Sequence, residues 1–174
     1  MDVFIEQLVM RNKRGFEKAF RPLVLLFGFM AAVLIILTGL SMGFLSKFFI
    51  AAGIGLGYGA IYASSLFDIE IEYSVTNGYV DIDRITARRK RERLPAFECH
   101  DITSIGRYER PSDIPSNLKP LDVTGGNGEK YYIIIGGTKK SSAIIFEPDE
   151  RTLDAIKKFI PRSVYIESFG NKVD

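Results

Sequence analysis

LVLLFGFMAAVLIILTGL (residues 23–40) and FFIAAGIGLGYGAIYASSLF (residues 48–67) flank a short connector, and across the 45 positions from Leu23 to Phe67 the only formally charged side chain is Lys47. At 1.5 Å per helical residue each stretch reaches roughly 27–30 Å, about one hydrocarbon core. The pattern reads as a transmembrane helical hairpin over about 22–41 and 48–67. Ser41, Met42, Gly43, Ser46 and Lys47 supply the polar and flexible residues for the reversal, where a lone charge is tolerated. A single buried core helix is the other way to be apolar, but a soluble chain of 174 residues would not carry so long an uncharged run.

The flanks set an expected orientation. Arg11, Lys13, Arg14, Lys18 and Arg21 precede the first span while the connector holds only Lys47, so the positive-inside rule puts both termini in the cytoplasm of a multi-pass plasma-membrane protein. A single cysteine, Cys99, leaves no intrachain disulfide to argue for the other side. The formal charge of +2 does not suit a nucleic-acid binder. Residues 1–22 mix Phe4, Ile5, Leu8, Val9, Phe16 and Phe20 with those cations at helical spacing. They read as an amphipathic juxtamembrane helix lying in the headgroup layer or as a plain lead-in, with Pro22 opening the first span. In the second span Gly53, Gly55, Gly57 and Gly59 form small-xxx-small pairs, for packing within the hairpin or between copies.

After Phe67 the pattern turns to period two. Residues 68–75 and 79–85 alternate around Thr76-Asn77-Gly78, a β-hairpin signature with the preferred two-residue turn. That register sets Glu72 opposite Asp83, so pairing is expected to bulge or end near Asp83 or Arg84. Further strands are expected at Ala96-Phe97, Ile102–Tyr108, Tyr131–Ile135 and Ser142–Phe146, with a hairpin connector over Gly136–Lys140. Pro111–Gly128 reads as the most mobile loop, and a helix over about 148–160 is stopped by Pro161. The segments are thus 1–22, the hairpin 23–67, and a domain of 68–174 large enough for one small core.

Two spans, then Tyr73-Ser-Val-Thr-Asn-Gly-Tyr-Val-Asp-Ile-Asp, a basic strand, and a last strand running through Phe146-Glu-Pro-Asp-Glu into a helix ending at Ile160-Pro161-Arg162, resemble a bacterial family of small two-span membrane proteins. The resemblance covers residues 20 to 165, and its cytoplasmic part is similar to bacterial pleckstrin-homology-like (PH-like) domains. The resemblance implies an α+β chain: the helical hairpin, then a mainly antiparallel PH-like β barrel or sandwich capped by a C-terminal α-helix. It implies a binding or scaffolding role and no reaction, since fold alone does not fix function. Arg91-Glu92-Arg93 is similar to the basic-x-Arg element of eukaryotic PH domains that hold phosphoinositides. Their lysine before the first loop has no counterpart among residues 68 to 80, which speaks against inositide binding.

The strongest charge cluster holds Arg84, Arg88, Arg89, Lys90, Arg91 and Arg93 against Glu92. On a strand both faces of this run would carry cations, so at least one row meets solvent or an anion. Anionic lipid headgroups are the expected counter-ion; an edge strand kept charged against aggregation, or a protein or nucleic-acid partner, are the other readings. Catalysis finds little footing. His100 is the lone histidine, and beside Cys99 on a strand it would point to the opposite face. No set of ligands suggests a metal or other cofactor, and Asp122-Val-Thr-Gly-Gly-Asn-Gly lacks the endings of a phosphate or calcium loop. The expectation is a membrane protein that binds or scaffolds, with the bilayer and anionic lipids as partners. The alternative is an accessory or oligomerising subunit of a transport or secretion complex that binds a membrane protein or itself.

Overall fold

The computed structural model describes residues 3–12, 15–126, 128–136 and 141–170. Strand β1 (Phe4–Met10) comes first, then helices α1 (Phe16–Leu40) and α2 (Ser46–Ser65), joined through a 3-10 turn at Gly43–Leu45. There follow β2 (Ile69–Thr76), β3 (Tyr79–Thr86), β4 (Lys90–Arg93), β5 (Phe97–Glu98), β6 (Ile102–Arg107), β7 (Leu121–Asp122), β8 (Tyr131–Ile135) and β9 (Ser142–Phe146). Helices α3 (Glu150–Phe159) and α4 (Arg162–Phe169) close the chain. By internal contacts it divides into two compact units. A β unit takes the described parts of 1–12, 70–85 and 91–174; a helical unit takes those of 13–69 together with 86–90.

The β unit corrects the reading of the N-terminus. Phe4–Met10 is a strand, not a helix lying in the headgroups, and pairs antiparallel with β2 from Phe4↔Thr76 to Met10↔Glu70. The physical reason is a period of two that the helical spacing had masked: Ile5, Gln7 and Val9 turn inward while Phe4, Leu8 and Met10 stand outward at 64%, 53% and 61% exposure. The helical hairpin is therefore the connection between two neighbouring strands of one sheet. That sheet runs β1-β2-β3-β4, with β5 paired to β3. A second sheet, β6-β8-β9-β7, is antiparallel except for the short parallel pair β7 and β9. The turn between β2 and β3 has Asn77 at φ 50° and Gly78 at φ 86°, as a type I′ loop requires. The Val3 N–H donates to Asn77 Oδ1 at 2.9 Å. The core gathers Tyr73, Val75, Ile82, Ile105, Ile133 and Ile156.

Two expectations about loops change. β3 runs on to Thr86, past the end expected near Asp83 or Arg84, and Arg91 on β4 reaches both carboxylates: its guanidinium lies 2.8 Å from Glu72 Oε2 and 3.5 Å from Asp83 Oδ2. Within 111–128, Ile114 is buried against Ala143 and Ile145, and Val123 is buried as well, so this loop is packed. The connector expected over Gly136–Lys140 lies, from 137 on, outside the described residues. Helix α3 begins one residue after Asp149, whose side chain caps it by accepting from the Thr152 N–H at 2.7 Å. Burial raises the affinity of Asp149 for its proton, but the Thr152 hydrogen bonds and Arg151 outweigh it and hold the carboxyl below its usual range. Pro161 ends α3 yet opens a further short helix, α4, that the sequence reading had missed.

In the helical unit, α1 starts at Phe16, so Pro22 lies inside the helix and not at its first position. Both helices are long and apolar enough to cross a membrane, over Lys18–Leu40 and Gly43–Ser65, and only 11% and 17% of their most apolar windows are buried. A core helix of a soluble protein would be mostly buried, so these are candidate membrane spans.

Candidate functional site

The glycine run in α2 divides between two faces. Gly53 and Gly57 are buried against α1; a Cβ at Gly53 would stand 2.9 Å from the Ala32 carbonyl oxygen, and one at Gly57 3.8 Å from Ala32 Cβ. Gly28 against Ala60 and Gly39 against Phe49 extend the close approach from the α1 side. Gly55 and Gly59 face open space. Gly53→Leu should therefore cost the hairpin about 2 kcal/mol or more by overpacking, whereas Gly55→Leu and Gly59→Leu should change it by less than about 0.5 kcal/mol. Thermal melting in detergent micelles checks this; equal losses at all three positions would show the helix packed on both faces.

The six candidate cations do not act as one strand. Arg84 lies near the end of β3, Arg91 and Arg93 lie on β4, and Arg88 and Arg89 sit in the turn between them with Lys90 opening β4. The strand arginines face carboxylates: Arg91 as above, Arg84 Nη1 at 3.7 Å from Glu92 Oε2, and Arg93 Nε at 4.0 Å from Asp83 Oδ1. Exposed as they are, Arg91 and Arg93 balance charge within the sheet. The turn is set apart by its backbone. Ala87 and Arg88 adopt φ of 55° and 54°, a conformation that side chains with a Cβ visit rarely. It belongs to the helical unit, where the Ala87 N–H donates to the Asp68 carbonyl at 2.7 Å and the Arg89 guanidinium lies 5.5 Å from the Tyr62 ring centroid. Arg21 bridges to Asp68 at 3.0 Å and Phe20 packs edge-on to Phe67 at 5.5 Å, which brings the start of α1 beside the end of α2.

The glycine-rich loop after β7 has an occupant within the chain. Gly126 N–H donates to Glu147 Oε2 at 2.7 Å and Gly128 N–H to Glu147 Oε1, so two backbone amides converge on one carboxylate in the manner of an anion nest. Glu147 is 7% exposed. Its own N–H donates to the Tyr73 hydroxyl at 3.3 Å, and that hydroxyl donates to the Val123 carbonyl at 2.6 Å. The Gln7 side chain pairs with the same corner: its Nε2 donates to the Glu147 carbonyl at 2.9 Å, and its Oε1 accepts from the Asp149 N–H at 2.8 Å. Burial drives the Tyr73 phenol well above its usual range, which keeps it a donor. Asn127 lies outside the described residues. Nothing in the sequence announced that this loop binds Glu147; the two glycines were the only hint.

Cys99 and His100 occupy a 3-10 turn at Cys99–Asp101, not a strand. Cys99 is fully buried and its thiol is pushed up to about 12 by desolvation, so it is no nucleophile at neutral pH. His100 is exposed, between Glu98 at 3.0 Å and Asp101 at 3.2 Å. Among the described residues no group of three or more His, Cys, Asp or Glu side chains could hold a metal ion.

The fold defines a class of α+β module: an antiparallel β domain with closing helices, carrying a pair of candidate membrane helices between its first two strands. The chain belongs to the bacterial PH-like domain family DUF6106, whose model matches residues 1–166. No curated protein and no solved structure matches it. The α+β architecture and the PH-like resemblance of the sequence are thereby met, with β1 added to the domain and placed ahead of the helices.

Proposed function

We propose that the chain is an integral membrane protein that holds a PH-like domain at the inner leaflet as a binding or scaffolding platform, without catalysis of its own. The observation that carries this reading is the pairing of β1 with β2 across the hairpin. Two adjacent strands, joined at Met10↔Glu70, lead into and out of the helices, so the domain is tied to the bilayer by two connections instead of one free linker. Strands paired in one sheet also require both outer ends of the hairpin to lie on one side of the membrane. Arg11, Lys13, Arg14, Lys18 and Arg21, against Lys47 alone in the opposite flank, favour the cytoplasmic side.

Single cysteines introduced at Ser41 and at Ser116, in a Cys99→Ser background, test the topology with a membrane-impermeant maleimide. Intact cells should label only the cysteine at 41, and lysed cells both. Labelling of position 116 in intact cells would reverse the orientation and remove the inner-leaflet platform. The self-associating alternative draws on the open face at Gly55 and Gly59. Cross-linking of a Gly55→Cys chain into dimers in native membranes would favour it.

A further inference from the structure

We infer that the helical unit carries its own headgroup site for an acidic phospholipid, at the end where α1 starts and α2 stops, built from Lys18, Arg21 and the Arg88-Arg89-Lys90 turn around Tyr62. The inference rests on the reading of α1 and α2 as spans, and it names a ligand and a place that the basic strand as a whole did not. Three observations converge on it. The turn is fastened to the helix ends by the Ala87 to Asp68 hydrogen bond and by Arg89 over Tyr62, so its position relative to the spans is defined within one compact unit. Tyr62 lies in the last turn of α2 and is half exposed, the place where tyrosines mark the water interface of a span.

Charge then singles out this end. Lys18, Arg88, Arg89 and Lys90 are exposed there, and the Arg21 side chain stays 41% exposed while bridging Asp68. The opposite end of the hairpin has only Lys47. Arg84, Arg91 and Arg93 lie on strands of the β unit, so the cations that gave the sequence its basic run are divided between the two units, and only the turn adds to the helix-end cluster. A phosphate diester at the level of Tyr62 meets guanidinium and ammonium donors while its acyl chains lie along the helices. Arg suits such a group because it can offer two parallel N–H donors to one phosphate.

The chain contains no tryptophan, so a Tyr62→Trp replacement gives one reporter at the site and preserves a ring under Arg89. The full-length protein is reconstituted in bilayers with brominated phosphatidylglycerol or brominated phosphatidylcholine at equal mole fraction. The acidic lipid should occupy the reporter's surroundings roughly 5-fold more readily, the preference falling as salt is raised. Replacing Arg88, Arg89 and Lys90 by Gln should bring the ratio close to one. A ratio near one in the unaltered turn, or a preference that survives those replacements, overturns the site. Inorganic phosphate at millimolar concentration should not relieve the quenching; if it does, the site takes free phosphate and the lipid assignment fails. A Leu34→Trp chain separates the two levels of inference, because mid-span quenching by either lipid reports insertion alone. If that reporter is not quenched, the membrane reading itself is wrong.

Discussion

Residues 69–174 alone should fail to fold cooperatively, whereas a chain in which a short turn replaces 11–68 and joins β1 directly to β2 should give a soluble, cooperatively melting domain. The contrast follows from what β1 contributes. It pairs along its whole length with β2, half-buries Ile5, Gln7 and Val9, and places the Gln7 amide across the junction of β9 and α3. Two such hydrogen bonds contribute about 1 kcal/mol each, and half-burial of Ile5 and Val9 roughly 1 kcal/mol each. The lost main-chain pairing adds to this, so the total is comparable with the about 5–15 kcal/mol that a small domain has in all. Removing β1 also bares the edge of β2, an invitation to aggregate. Thermal melts followed by circular dichroism, with amide dispersion in NMR spectra, decide it. A sharp transition for 69–174 at the temperature of the joined chain would mean that β1 is an accessory strand and that α1 and α2 hang from an already complete domain.

What the sequence disclosed was whatever is decided by neighbours in the chain. The spans follow from uninterrupted apolar length, the turn between β2 and β3 from Asn77-Gly78, and α3 from Asp149, its apolar stripe and Lys157 and Lys158 near its end. β1 was hidden because its partner lies beyond both spans; the alternation of Ile5, Gln7 and Val9 is short and broken by no turn, and cations nearby suggested an amphipathic helix. The basic run likewise looked like a single feature. Its division depends on Glu72, Asp83 and Tyr62, residues on three other elements that only the folded chain brings within reach. Helix α4 was too short to show a period, and its start follows the very proline that had been read as a stop.

Glu147 should be the polar side chain on which the β unit depends most. Replacing it by Ala leaves the N–H groups of Gly126 and Gly128 without their acceptor in a partly buried loop, a loss of about 3 kcal/mol on the usual scale for unsatisfied buried donors. Glu147→Gln keeps the shape but offers one oxygen in place of two and turns an N–H toward a donor, so it should recover only part of that loss. Gly128→Ala tests the same corner from the other side, since its Cβ would stand 2.9 Å from Glu147 Cγ and force the side chains apart. Tyr73→Phe removes the hydroxyl that joins Val123 to the Glu147 amide and should cost about 1–3 kcal/mol. Because both side chains hold the one loop between β7 and β8, their losses should not add: once Glu147 is gone the loop is free to leave, and Tyr73 has less to lose. Urea unfolding of the joined soluble chain, with the two single variants and the double, measures that coupling. A double variant whose loss equals the sum of the singles would show that the two contacts act on separate parts of the fold, and that the glycine nest is a local ornament of the loop and not its lock.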